Sequence, residues 1–358
     1  MLFDPLFARS LHLANRMVMA PMTRSRATTA HTPDALMATY YGQRASAGLI
    51  ITEGTSPSPN GLGYPRIPGL FDAAQVAAWR PVTAAVHAAG GKIFVQLMHC
   101  GRVAHVANLP GGAEVIGPGT AACPGELYTD TLGMQPYSAP RAMTGGDIAH
   151  AVEEYATSAK LALDAGFDGV ELHGANGYLI EQFLNPLVNL RTDGHGGSIE
   201  GRNRLALEIV RATVAAIGSD RVGIRLSPYG VFNGTGEFPE VQAQYLALAN
   251  SLSAAGLLYI HLVDHSSMGA PPVPADFKHK LRAGFAGLFI LSGGFDGASA
   301  EQALLDQRGD LVAFGRAFLA NPDLVARMRK EAPLNVPDMA TFYVPGAKGY
   351  TDYPALAA

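Results

Sequence analysis

Residues 152–178 read VEEYATSAKLALDAGFDGVELHGANGY. The Ala-rich first half, Val152–Ala165, spaces its apolar residues as a helix does, and Gly166 stands where a glycine ends one. A short run, Gly169–Leu172, has the character of a buried strand. It breaks off into His173-Gly174-Ala175-Asn176-Gly177-Tyr178, a polar, glycine-rich loop. Helix, glycine stop, strand and polar loop make one unit of an alternating chain. Working outward, seven further strand-like runs appear: Met17–Ala20, Leu49–Thr52, Lys92–Gln96, Val222–Leu226, Leu257–Leu262, Gly287–Leu291 and Leu311–Phe314. Helical segments such as Arg204–Ile217 and Val241–Ala254 lie between them, and Ala255-Gly256-Leu257 repeats the glycine stop.

Strand–helix alternation implies a parallel sheet, either closed into a barrel or open. An open dinucleotide-binding sheet would carry GxGxxG after its first strand. Here Met17–Ala20 opens into Pro21-Met22-Thr23 instead. The other runs end in Glu53-Gly54, Gln96 to His99, His173 to Asn176, Arg225, His261, Ser292-Gly293-Gly294 and Gly315-Arg316. In a barrel all these ends meet at one mouth, where active sites lie. The expected fold is therefore α/β: a (β/α)8 TIM barrel with an N-terminal hairpin and a long loop, Gly101–Thr144, after the third strand. That loop reads either as a lid or as a surface excursion with its own small hairpin. No repeat or linker divides the chain, so residues 1–358 are taken as one domain, a length common among barrels.

A formal net charge of −4 and a pI near 6.2 argue against a nucleic-acid or polybasic membrane surface. With 48% hydrophobic and 16% charged residues, the chain can bury a large core. Asp4, Pro5 and Arg9 interrupt the N-terminus, which does not read as a secretory signal, and no apolar run approaches the roughly 20 residues of a membrane span. Cys100 and Cys123 form neither a CxxC nor a disulfide framework. The expectation is a cytoplasmic protein with reduced thiols that binds a small molecule, neither nucleic acid nor membrane.

Ser292-Gly293-Gly294 and Gly315-Arg316 end strands seven and eight, where many barrels bind phosphate. Glycine lets backbone N–H groups approach the anion, and Arg316 can fork onto it; the alternative is a tight turn plus a surface arginine. His173 and Asn176 are spaced to aim two donors at one acceptor, and Tyr178, protonated at neutral pH, can deliver a proton. A lone loop histidine is more often structural, and without a Cys or carboxylate cluster a metal is not expected. Gln96 suits a ring imide and Arg225 an electron-rich ring edge, although each alone could be an ordinary core amide or ion pair. Together with a phosphate site they outline a flavin-sized ligand. The stretch Asn189–Arg204 reads as an ordered loop with its own salt bridges.

These residues resemble the Old Yellow Enzyme family, and within it the bacterial N-ethylmaleimide and pentaerythritol tetranitrate reductases. The similarity is carried by Ala20 to Arg26, Gln96 to Arg102, His173 to Leu179, Arg191 to Arg204, Ala313 to Arg316 with Asn321 to Leu324, and Gly349 to Pro354. It implies an FMN-dependent ene-reductase working by a ping-pong cycle: NAD(P)H reduces tightly but non-covalently bound FMN, and an α,β-unsaturated carbonyl, maleimide or nitro compound is then reduced. It implies that Pro21, Met22, Thr23 and Gly54 contact the flavin, with Gln96 and Arg225 on its pyrimidine edge and Gly293, Gly294, Gly315 and Arg316 on its phosphate. His173 and Asn176 would hold the substrate oxygen, Tyr178 would protonate Cα, and Tyr64, Met98 and Tyr343 would wall the pocket. Met98 replaces a Trp common in the family, His195 a Tyr and Gly201 an Asn, while Thr23 stands where another branch carries Cys. A monomer or weak homo-oligomer is expected. The rival readings are a non-redox barrel acting on phosphorylated substrates and a barrel that binds flavin passively.

Overall fold

A computed structural model describes residues 1–357. Eight parallel strands close a barrel in chain order: β1 (Met17–Met19), β2 (Leu49–Thr55), β3 (Ile93–Leu97), β4 (Gly169–Gly174), β5 (Val222–Leu226), β6 (Tyr259–Val263), β7 (Leu288–Ser292) and β8 (Leu311–Phe314). Closure is made by Phe314 pairing in register with Met19. Every strand foreseen in the sequence forms, with ends displaced by at most three residues.

The barrel interior is built in layers. Leu49, Phe94, Tyr259 and Leu311 belong to a buried cluster at the N-terminal end of the strands. Gly169 and Gly223 face it because a Cβ there would lie 2.5 Å from the Phe94 ring and 2.2 Å from that of Tyr259. The N-terminal hairpin, Leu6–Ala8 against Leu11–Leu13, inserts Leu11 and Leu13 into the same cluster and plugs that end. A second core lies between the strands and the surrounding helices, α1 (Ala35–Gln43), α2 (Ala73–Ala88), α3 (Gly145–Asp164), α4 (Ile199–Ile217) and α5 (Val241–Ala254) among them.

Two helices begin well before the segments expected from apolar periodicity. Thr144 and Asp147 form a reciprocal capping box that starts α3 at Gly145, and the Ser198 side chain caps α4 at Ile199. Polar first turns thus extend each helix beyond its apolar stripe. The glycine stops occur as expected, Gly166 at φ +92° and Gly256 at φ +70°. The excursion after β3 carries an antiparallel hairpin, Glu126–Thr129 with Gly133–Pro136. Arg191 ties it to the barrel by donating to Pro118 O and Met143 O at 3.1 and 2.7 Å. Salt bridges His195–Glu208 and Arg202–Glu240 hold the Asn189–Arg204 stretch. Gly201 packs so closely on the Gly196 carbonyl that a Cβ would lie 2.1 Å from its oxygen, which excludes a larger residue there. No helix is long and apolar enough to cross a membrane.

Candidate active site

The C-terminal strand ends open into one cleft of about 1280 Å³, larger than the roughly 300–1,000 Å³ of a typical single-ligand pocket. Every residue given a flavin, substrate or proton-donor role lines it except Gly54, which faces Met98: a Cβ there would lie 2.5 Å from the sulfur. The strand-end residues Glu53, His99 and His261 lie behind the wall. The cleft has room for two ligands at once, and its walls carry three distinct sets of groups.

The first set is a backbone cradle. Gly293 and Gly294, just past β7, adopt φ +141° and +70°. A Cβ at Gly293 would lie 2.2 Å from the Asp264 carbonyl oxygen, so only glycine fits. Among the described residues, neither glycine's N–H finds an acceptor, and the Arg316 side chain makes no ion pair. Gly315 and Arg316 complete this wall across the gap between β7 and β8. Free amide donors, glycine backbone and an unpaired guanidinium fit a phosphate group.

The second set rises from the barrel floor. Gln96 and Arg225 are buried, and the Arg225 Nε has no hydrogen-bond partner. The Gln96 Nε2 donates to Glu171 at 2.8 Å, and His261 Nδ1 meets the other Glu171 oxygen at 2.9 Å. An orphaned buried guanidinium beside an amide fits the carbonyl-rich edge of a flavin pyrimidine. The FMN fit therefore rests on both ends of the cleft.

The third set stands opposite. The Ala175 N–H donates to His173 Nδ1 at 3.3 Å, so the remaining ring nitrogen, Nε2, carries the proton and can donate into the cleft. Burial, and after it the Arg225 charge, holds the His173 pKa well below its ordinary value, leaving the ring neutral. Asn176 sits at φ +59°, its N–H donating to Ser227 Oγ at 2.9 Å and its carbonyl accepting from Asn233 at 2.7 Å. These bonds fix its backbone and leave its side-chain Oδ1 without a partner. The Tyr178 ring lies edge-on to His173, centroids 4.9 Å apart, and its hydroxyl donates to Tyr64 at 3.2 Å. Burial pushes the Tyr178 phenol above its ordinary pKa, which keeps it protonated.

Buried acids support these sets from behind. Glu181, its pKa raised to about 7 by burial, accepts from Gly177 N–H at 2.6 Å and from Ser227 Oγ at 2.9 Å. Glu53, likewise raised to about 7 by burial, accepts from the Arg24 N–H at 3.2 Å behind the Pro21–Thr23 turn. Arg24 and Arg26 donate to the Phe342 carbonyl at 3.1 and 2.9 Å, which brings the exposed Tyr343 to the mouth. Sequence reasoning missed Glu171, Glu181, Ser227, Asn233 and the cleft-lining pair His265–Phe232, whose rings pack edge-on with centroids 4.6 Å apart. Glu171 alone had a legible signal: on a strand it shares the inward face of His173.

Residues 1–335 match the family model described as NADH:flavin oxidoreductase / NADH oxidase. Chanoclavine-I aldehyde reductase of Penicillium roqueforti is 44% identical, covering 98% of this chain and 95% of its own. A probable flavin mononucleotide-dependent alkene reductase of Leishmania infantum is 41% identical, covering 99% and 97%. Among solved structures, morphinone reductase superposes with a TM-score of 0.96 at 44% identity over 99% of this chain and 96% of its own. The old yellow enzyme homologue from Zymomonas mobilis gives 0.94 at 39% identity, covering 99% of each chain. This chain belongs to the NADH:flavin oxidoreductase / NADH oxidase family, the Old Yellow Enzymes, as an FMN oxidoreductase reduced by a nicotinamide nucleotide.

Proposed function

We propose that this protein reduces the carbon–carbon double bond of α,β-unsaturated carbonyl, maleimide or nitro compounds, with NAD(P)H as electron source. The observation that carries this reading is the neutral His173 and the unpartnered Asn176 amide, beside a protonated Tyr178, in one cleft with the FMN cradle. Gly293, Gly294, Gly315 and Arg316 hold the FMN phosphate. Gln96 and Arg225 hold the pyrimidine edge, and Pro21, Met22 and the Thr23 hydroxyl wall the other side. FMN held there would, in its reduced form, supply the hydride for the substrate's Cβ.

The chain's own groups do the rest. His173 and Asn176 donate to the substrate's carbonyl or nitro oxygen and stabilise the charge that develops there; such fixed donors need no reorganisation during reaction. Tyr178 hands its proton to Cα. Met98, Tyr64 and Tyr343 shape the substrate wall, and nicotinamide and alkene take turns in the same space. The whole chain, 1–358, works as one domain, a cytoplasmic monomer or weak homo-oligomer.

The test is replacement of His173 or Asn176 by Ala, read by visible-absorbance titration with a phenol and by enone turnover. Each variant should bind the phenol more weakly and turn over more slowly, by roughly 10²–10³ for a lost oxyanion donor. Unchanged phenol affinity and turnover in both would place the substrate elsewhere.

A further inference from the structure

We propose that Glu171 is a positioning residue for the cofactor: it aims the Gln96 amide at the flavin ring and offsets the charge of Arg225 beneath it. This rests on Gln96 and Arg225 holding the pyrimidine edge. Glu171 has no exposed surface and sits in register opposite Gln96 across the β3–β4 ladder. Inward layers of such barrels are usually aliphatic, and an internal carboxylate is costly unless its lone pairs are satisfied. Here they are, by Gln96 Nε2 at 2.8 Å and His261 Nδ1 at 2.9 Å.

The carboxylate accepts and cannot donate, and this decides the amide's orientation. Gln96 must turn its NH2 towards Glu171. That leaves Oε1, which takes no hydrogen bond among the described residues, as the free acceptor for an imide N–H. A neutral partner would let the amide flip. Burial keeps His261 below its ordinary pKa, so it donates as a neutral ring and does not cancel the carboxylate charge. Arg225 pairs in register with His261, and after the burial that lowers its pKa, Glu171 is the first charge acting on it, in the opposite direction. Both are buried, and the β4–β5 register sets Glu171 opposite Gly223, one inward step from Arg225, so the two opposite charges would lie together beneath the edge of a bound ring that becomes anionic on reduction.

The test compares Glu171→Gln, Glu171→Asp, Gln96→Ala and the Gln96→Ala/Glu171→Gln double variant. Apoprotein affinity for FMN is read by flavin fluorescence, and the midpoint potential of the bound flavin by dye equilibration. Glu171→Gln should weaken FMN about tenfold, the lower end expected for one hydrogen bond to a charged group. It should also favour reduced over oxidised flavin about tenfold, a rise of about 30 mV for a two-electron couple. Glu171→Asp keeps the charge but draws back from Gln96, so affinity should fall with little change in potential. On the Gln96→Ala background, Glu171→Gln should no longer cost affinity yet still raise the potential. Glu171→Gln with unchanged affinity and potential overturns the proposal, as does an affinity loss just as large without Gln96. Unchanged FMN affinity in Gln96→Ala overturns the reading of Gln96 as a flavin ligand, and the proposal with it.

Discussion

Replacing Tyr178 by Phe removes one oxygen atom and separates the two halves of the catalytic cycle. In the folded protein that hydroxyl has one hydrogen-bond partner, Tyr64 at 3.2 Å, and the ring rests on His173 at 4.9 Å between centroids. Losing the bond costs about 0.5–1.5 kcal/mol, and no cavity larger than one atom is left, so fold and FMN content should survive. Flavin reduction by NADPH takes no proton from this phenol, and stopped-flow bleaching should stay near the unaltered rate. Reoxidation by cyclohexenone needs a proton at Cα, and a positioned acid contributes about 10²–10⁴-fold, or roughly 3–5 kcal/mol of barrier. Burial raises the Tyr178 pKa, so the phenol stays protonated across the working range and unaltered reoxidation should be flat from about pH 6 to 9. In the Phe variant solvent must supply the proton, and the residual rate should fall as pH rises. Nitroalkenes should be spared, because hydride addition gives a nitronate that solvent can protonate later. Equal slowing of both half-reactions would mean that Tyr178 shapes the pocket; slowing of neither would move the acid role to solvent or to Tyr343.

Arg316→Ala should weaken FMN retention about tenfold, the lower end for a charged hydrogen bond because the side chain is exposed, and equilibrium dialysis of the apoprotein reads it. An unchanged dissociation constant would remove Arg316 from the phosphate site. Burial raises the Glu181 pKa from 4.5 to about 7, so the folded state holds its proton more tightly than the unfolded one. Its stabilising contribution is complete below about pH 4.5 and lost as pH rises through 7. Glu181→Gln should therefore gain on the unaltered protein by a few kcal/mol between pH 5 and 7.5, and a pH-independent difference in denaturant midpoints would refute this.

The strands and most of the cleft lining were legible because each strand ends in residues that packing does not call for. Glycines after β7, an arginine ending β5 and a glutamine near the end of β3 stand out against aliphatic runs. Position along the chain thus carried most of the information about the mouth. The supporting groups were silent because their meaning depends on contacts distant in sequence. Glu181 lies within a helical turn, and Ser227 and Asn233 lie 51 and 57 residues from the Asn176 they hold. Gly54 misled for a related reason: it follows a polar strand end, yet a register shift between Ile51 and Gly54 precedes it and Met98 covers it.

The two ends of the barrel divide stability from chemistry. At the N-terminal end Leu49, Phe94, Tyr259 and Leu311 interdigitate under the leucines of the hairpin. One inward step along the same strands, Phe94 gives way to Gln96, Gly169 to Glu171, Gly223 to Arg225 and Tyr259 to His261. Four polar side chains thus occupy a layer that aliphatic residues could have filled, two of them leaving a buried nitrogen unpaired, Arg225 Nε and His261 Nε2. Each unpaired buried polar group costs on the order of 1–3 kcal/mol. A fold selected for stability alone would not keep that layer. It persists because the lower layer and the hairpin plug hold the barrel closed, and because a ligand of the proposed kind, rich in carbonyl and imide groups, would meet Gln96 and Arg225, which line the cleft.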